Sequence, residues 1–368
     1  MALTLHGTVA DNTAVLDRRS AKPLIINGNM AVAQRGTSVT GVTGVGYNAI
    51  DRMKTLLGDN GTWTHTQDTD VPTGQGFANS WKLDNTTADT SVASGAFHTA
   101  SYFFEGQDLQ LLKKGTSSAE KVTISFWIKT TVTGTYVAEL FDADNTRSIS
   151  QAYTVSSSNT WEKKVLSFAG DTTGALDDDN ANSLILNLWL GAGSDYTSGT
   201  LATSWASVTA ANRAVGQVNG ASSTDNNVYL TGLQMEVGEF DANSIAPFQH
   251  ESYGDNLARC QRYYQVIREA NTAYFANGFM FSTTIGIGIT DLAVKMRTAP
   301  TLVTNSNANQ FTFYRAGAAD TVSTFALNSS TESRIAFQNT TEMSGTAGDA
   351  GGWYATGADG LVDVVAEL

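Results

Sequence analysis

Lys121-Val-Thr-Ile-Ser-Phe-Trp-Ile-Lys129 decides the fold class. Val122, Ile124, Phe126 and Ile128 share one face, and Thr123, Ser125 and Trp127 share the other. A period of two is that of a β-strand with one side on a core. Outward from it, residues 135–141 (Thr-Tyr-Val-Ala-Glu-Leu-Phe) follow a Thr-Gly turn and read as part of a hairpin. Residues 184–190 place Leu184, Leu186, Leu188 and Leu190 opposite Ile185, Asn187 and Trp189. Residues 228–237 form a last long strand, read with Tyr229, Leu233, Met235 and Val237 on one side. Short strands with turn residues between them predict an antiparallel sandwich or jelly roll. Strands do not alternate with helices, so a parallel α/β sheet is not expected.

The composition agrees. The chain has 368 residues, enough for about two domains. It carries 22 Lys and Arg against 35 Asp and Glu, a net charge of −13, and this balance disfavours nucleic acid as a partner. Charged residues are only 15%, and Thr, Ser, Asn and Gly take their place, as suits strands and tight turns. No apolar run is long enough to span a bilayer as a helix, so membrane insertion is not expected. The one cysteine, Cys260, excludes an intrachain disulfide and any multi-thiolate zinc site.

The period changes at residues 255–269. Leu257, Cys260, Tyr264 and Ile267 fall at spacings of three, four and three, which is one helical stripe, with Asp255 as a cap or first-turn acid. That spacing is also a heptad seam, on which three copies could pack around an axis. At under two heptads, packing onto the chain's own β domain is the alternative. Beyond residue 271 the strand pattern returns, with Ile285, Ile287 and Ile289 alternating against glycines. The expected organisation is an N-terminal arm (1–23), a jelly-roll domain (24–245), a linker and helix (246–270) and a smaller C-terminal β domain (271–368). Residues 238–248, with Asn243, Ser244 and Pro247, read as linker.

Candidate chemistry is sparse. His6, His65, His98 and His250 sit in no metal-binding spacing and beside no nucleophile elbow. Cys260 lies on the helix's apolar stripe and reads as a buried thiol. Asp177-Asp-Asp-Asn180 is the densest acidic run. A solvated loop is its plain reading, and a weak Ca²⁺ site built on Asp177 and Asp179 is the sharper one; no other cofactor is expected. Glu105, Glu139 and Glu236 are single acids without an evident partner for glycan hydrolysis. Trp127 and Trp189 lie opposite aliphatic rows and read as outer-face aromatics. There they could stack on sugars, unless loops or another chain cover them. Arg18, Arg19 and Lys22 form a basic cluster in an acidic chain, either a solvated terminus or an arm that orders on a partner.

Two segments carry a resemblance. Pro23-Leu-Ile-Ile-Asn-Gly-Asn-Met-Ala-Val-Ala-Gln-Arg-Gly-Thr37 with Tyr47-Asn-Ala-Ile-Asp-Arg52 resembles the start of tail-fibre-like virion proteins of marine tailed bacteriophages. Pro247-Phe-Gln-His-Glu-Ser-Tyr-Gly-Asp-Asn-Leu-Ala-Arg-Cys-Gln-Arg-Tyr-Tyr-Gln265 resembles the junction in the same group. Tyr102-Phe-Phe-Glu-Gly106, Ser125-Phe-Trp-Ile-Lys129, Asn159-Thr-Trp-Glu-Lys-Lys164 and residues 229–237 follow in order between them. The resemblance implies a carbohydrate-binding-module-like jelly roll followed by a small β domain in a virion. It implies a non-enzymatic fibre or appendage subunit, a homotrimer that docks on other virion proteins through its arm and meets a host-surface glycan. A purely structural capsid or tail decoration protein and a glycan depolymerase are the alternatives. The group supplies no binding-residue motif to carry over.

Overall fold

The computed structural model describes residues 23–268, 272–305, 308–357 and 360–368. The protein is almost entirely antiparallel β structure, in two compact units that meet in sequence between Glu251 and Ser252.

The first unit contains β1 (Ser38–Val42), β2 (Gly46–Tyr47), β3 (Met53–Gly58), β4 (Thr62–Asp68), β5 (Ser80–Thr87), β6 (Phe97–Glu105) and β7 (Val122–Thr130). It continues with β8 (Gly134–Asp142), β9 (Arg147–Val155), β10 (Glu162–Phe168), β11 (Asn182–Ala192), β12 (Ala206–Ser207) and β13 (Asn227–Val237). A six-stranded sheet runs β1-β4-β5-β13-β7-β10, and a seven-stranded sheet runs β12-β9-β8-β11-β6-β3-β2. The crossovers between non-sequential neighbours make it a jelly-roll sandwich. The even leucines of β11 and the Ile124–Phe126–Ile128 row of β7 are all at most 2% exposed. Phe126, Leu186, Leu188, Leu230 and Leu233 line one small internal space, so the two rows face each other across the core.

One reading of the strand faces is corrected. Tyr229 does not share a side with Leu233, Met235 and Val237. Thr231 pairs with Trp127 but Gln234 pairs with Ser125, so β13 bulges between them. Gly232 sits there at φ +64°, a conformation glycine adopts at low cost. The bulge inverts the alternation: Val228 and Leu230 before it, and Leu233, Met235 and Val237 after it, all point inward. Tyr229 and Thr231 face out.

Residues 238–248 are not a free linker. Their backbone lies on the outer side of the six-stranded sheet. The Phe240 amide donates to Thr123 Oγ1 (3.0 Å), and Gln234 donates through Nε2 to the Ala246 carbonyl (3.0 Å). Ile245 and Ala246 are buried.

The second unit holds the helix Tyr253–Gln261 and β14 (Tyr264–Val266), β15 (Tyr274–Met280), β16 (Gly286–Asp291), β17 (Thr301–Thr304), β18 (Phe311–Arg315) and β19 (Ala318–Val322). β20 (Ala326–Thr331), β21 (Arg334–Asn339), β22 (Ala350–Ala355) and β23 (Val362–Val365) complete it. The sheets run β14-β23-β17 and β19-β18-β22-β15-β16-β21-β20. Ser252 caps the helix, its Oγ accepting from the Asp255 amide (3.2 Å).

The helix stops eight residues short of the expected end. Tyr264 pairs with Val365 in a strand, and Ile267 packs partly buried against the unit's core clusters. Leu257 and Cys260 are therefore helical while Tyr264 and Ile267 are not, and the heptad seam does not exist. β-formers with a partner strand outweigh an accidental helical spacing. The stretch assigned to a linker and helix is instead built into this unit from Ser252 onward.

In β16 the glycines face inward. A Cβ on Gly288 would lie 2.3 Å from Phe337 and 2.7 Å from Trp353, and one on Gly286 would lie 2.5 Å from Met343. The space the glycines vacate holds the rings of the Phe311–Phe313–Phe337–Trp353 core. Ile287 and Ile289 are thereby turned to the opposite face.

Candidate functional site

One end of the outer face of the six-stranded sheet brings together a group of aromatic and charged side chains. Antiparallel register puts Thr66, Lys82, Tyr229 and Lys129 in one row across β4, β5, β13 and β7. Trp161, just before β10, continues the row, because Lys163 two residues on pairs with Trp127. The loop between β4 and β5 brings Asp70 to the same place. Asp70 accepts from Trp161 Nε1 (3.0 Å) and forms an ion pair with Lys129. The Lys129 ammonium lies 4.4 Å from the Tyr229 ring centre, and the Trp161 and Tyr229 rings meet edge to face at 6.2 Å.

Each group is thus fixed by another. Lys129 is almost buried and holds Asp70, whose side chain is 42% exposed. Burial alone would raise the Asp70 carboxyl, but hydrogen bonds from Lys129 and Trp161 outweigh it and hold it below the ordinary carboxylate value. It is a carboxylate at neutral pH, with an exposed edge that can accept from hydroxyl groups. Trp161 is half-buried, so its N–H is committed while part of its ring is open. Trp127, also half-buried, and Phe77 flank Gly232, and Phe77, Phe248 and His250 pack ring on ring at 4.8–5.3 Å. This aromatic wall and residues 238–248 cover one end of the face and leave the Trp161 end open.

Trp189 is a different case and corrects an expectation. It lies on the outer face of the seven-stranded sheet, yet it is only 2% exposed. Arg213 lies over its ring at 5.3 Å and forms a two-point ion pair with Glu139 (2.7 and 2.9 Å). Asn187 and Trp189 also donate to Glu139 (3.1 and 3.3 Å). The carboxylate is saturated by protein groups and the indole is roofed, so Trp189 offers no stacking surface.

Asp177 and Asp179 lie in the loop before β11. The Asp177 amide donates to Asp144, 33 residues away, a bond between two loops, and Asp179 accepts from the Ala181 amide, which closes a turn. Among the described residues no three acids, histidines or cysteines come together as a metal site. Nearby, an ammonium holds an oxygen cradle. Lys114 Nζ contacts Asp142, Asp171 Oδ2 (3.1 Å) and the carbonyls of Thr173 (3.2 Å) and Gly174 (2.8 Å). Burial would raise the Asp171 carboxyl, but hydrogen bonds from Arg147, the Thr173 amide and Lys114 outweigh it and hold it low. Arg18, Arg19 and Lys22 lie outside the described residues.

Trp127, the expected stacking residue on this face, lies beside the wall, and the sequence does not single out Trp161, Tyr229 or Asp70. The alternation from Trp161 through Lys163 to Val165 was the one available signal for Trp161. Asp70 is 91 residues from its tryptophan and carried none.

Comparison with known proteins adds little. No family model matches the chain, and no curated protein does. Among solved structures it is similar to the enzymatically active domain of bacteriophage CBA120 tailspike protein 4 (14% identity, TM-score 0.30, 58% of this chain). The match spans only 21% of that chain. It is also similar to a putative sugar binding protein from Bacteroides thetaiotaomicron (12%, TM-score 0.32, 59% of this chain and 100% of that one). A third likeness is to the CBM22-1-CBM22-2 tandem domain of Paenibacillus barcinonensis Xyn10C (10%, TM-score 0.26, 92% and 98%). These likenesses are weak, and the chemistry of the site rests on its own residues.

Proposed function

We propose that this protein binds carbohydrate at the accessible Trp161 and Asp70, which the buried Tyr229 and Lys129 hold in place, without transforming it. The observation that carries this is the Asp70–Trp161–Lys129 arrangement. A partly open indole is locked in orientation by a carboxylate that still presents an exposed edge. Sugars need both, a ring for their C–H faces and charged hydrogen-bonding groups for their hydroxyls. The sequence resemblance supports the finer reading, a fibre or appendage subunit of a phage particle that attaches to host-surface glycan. Self-association would then have to come from surfaces other than the helix, which lacks its seam.

Trp161→Ala should weaken retention on a bacterial surface-glycan array at least tenfold, about 1.4 kcal/mol, with the melting temperature held. Lys163→Ala, exposed on the same strand, serves as the control. Equal binding by Trp161→Ala and the parent protein would remove this face from consideration. Light scattering at micromolar concentration tests the fibre reading, which a monomer would contradict.

A further inference from the structure

The second unit carries aromatic surface of its own. β15 and β16 pair only from Asn277↔Ile289 to Met280↔Gly286. Before that, Tyr274 and Ala276 stay with β22, while Thr290 and Asp291 stay with β21. The two halves of the sheet part, and an open cleft of about 630 Å³ lies between them, lined by Tyr274, Asn277, Ile289, Thr290, Asp291 and Arg334. Tyr274 is 64% exposed and Tyr314 is 40% exposed. Of the tyrosines Tyr274 lines the cleft, and Tyr354 and Tyr314, on the neighbouring strands, pack edge to face on its ring at 5.1 and 6.3 Å. Tyr274 lies over Gly352, where a Cβ would come within 2.8 Å of its ring. Across the cleft Arg334 Nε donates to Asp291 (2.6 Å), and Arg334 keeps the Asp291 carboxyl ionised, below its ordinary value.

We infer that this cleft is a second carbohydrate site, for a neutral polysaccharide chain, independent of the Trp161 face. A tyrosine cluster held rigid by its own edge contacts costs little conformational entropy on binding. Asn277, on the Tyr274 side, and Asp291 and Arg334, across the cleft, supply donors and acceptors on both walls. Asp291 and Arg334 neutralise each other, so the cleft offers no net charge to a charged chain. The overall charge of −13 repels acidic polysaccharides as well.

The test is native electrophoresis of the full chain through gels containing laminarin, dextran or alginate. The parent, Trp161→Ala and Tyr274→Ala/Tyr314→Ala proteins are run side by side, with melting temperatures and light scattering on each. We expect the parent to be retarded by a neutral polymer and not by alginate. The double variant should lose at least fivefold in retardation, and Tyr274→Phe should keep it. If the double variant loses retardation and Trp161→Ala does not, the cleft stands and the Trp161 face fails. Retardation lost only in Trp161→Ala, or retardation by alginate alone, would overturn the inference. So would no retardation of the parent in any gel. If the double variant keeps retardation but loses a self-associated species, the tyrosine face joins copies of the chain and the inference falls.

Discussion

Lys114→Met should cost about 3–5 kcal/mol of stability, seen as a lower urea midpoint at pH 7. The substitution keeps the unbranched stem, one atom shorter, and removes the ammonium with its charge and its donors to the Thr173 and Gly174 carbonyls. Asp142, whose side chain has no exposure, would keep its hydrogen bonds from Asn145 (3.0–3.2 Å) but lose its cation. Asp171 would fall back on Arg147 alone among cations (2.7 and 3.1 Å). Lys113→Met next to it removes an exposed pair with Glu120 and should cost at most about 1 kcal/mol. Adding Asp142→Asn to Lys114→Met should recover part of the loss, because the buried charge goes with it. Equal midpoints for Lys114→Met and Lys113→Met would show that the cradle contributes no more than a surface pair.

Acid should weaken the first unit well above the range where carboxylates titrate. His65 and His98 are both fully buried, beside Trp81 (5.6 Å) and Trp63 (4.5 Å). Neither ring nitrogen of His98 has a hydrogen-bond partner. Burial lowers His65 to about 4 and takes His98 well below the ordinary histidine value, with His65 adding to the second effect. The folded state therefore stays unprotonated where the unfolded chain begins to take up protons near pH 6.5. Stability is fully present above that value and is lost as pH falls towards 4, by about 3 kcal/mol from His65 alone. Urea midpoints at pH 7.0, 6.0 and 5.0 check this. His98→Phe and His65→Gln should each flatten the dependence. A midpoint constant from pH 7 to 5 would refute it.

What could be read from the sequence was whatever repeats locally. The rows of β7 and β11 are legible because a buried strand face forces every second residue to be apolar. Tyr229 reads onto the wrong side because one left-handed glycine shifts the alternation, and a period cannot announce its own slip. Tyr264 and Ile267 fitted a helix by spacing, and their real conformation is set by β23, about 100 residues later. The alternation in β11 puts Trp189 on the outer face of its sheet. Its roof comes from Arg213, whose partner Glu139 is 74 residues away. The candidate site has the same character: the outward face of β7 is visible in its own strand, but the bond that fixes Trp161 joins segments 91 residues apart.

Lys114 has a further consequence, which concerns the surroundings more than the fold. A loop junction closed by a dissolved ion depends on that ion's concentration, and a chelator or a competing salt can open it. Here the positive charge is covalently attached to the backbone that it secures. It cannot be diluted, sequestered or exchanged, so this junction needs no dissolved cation and a chelator has nothing to withdraw from it. What removes the charge itself is inherited, a single codon change.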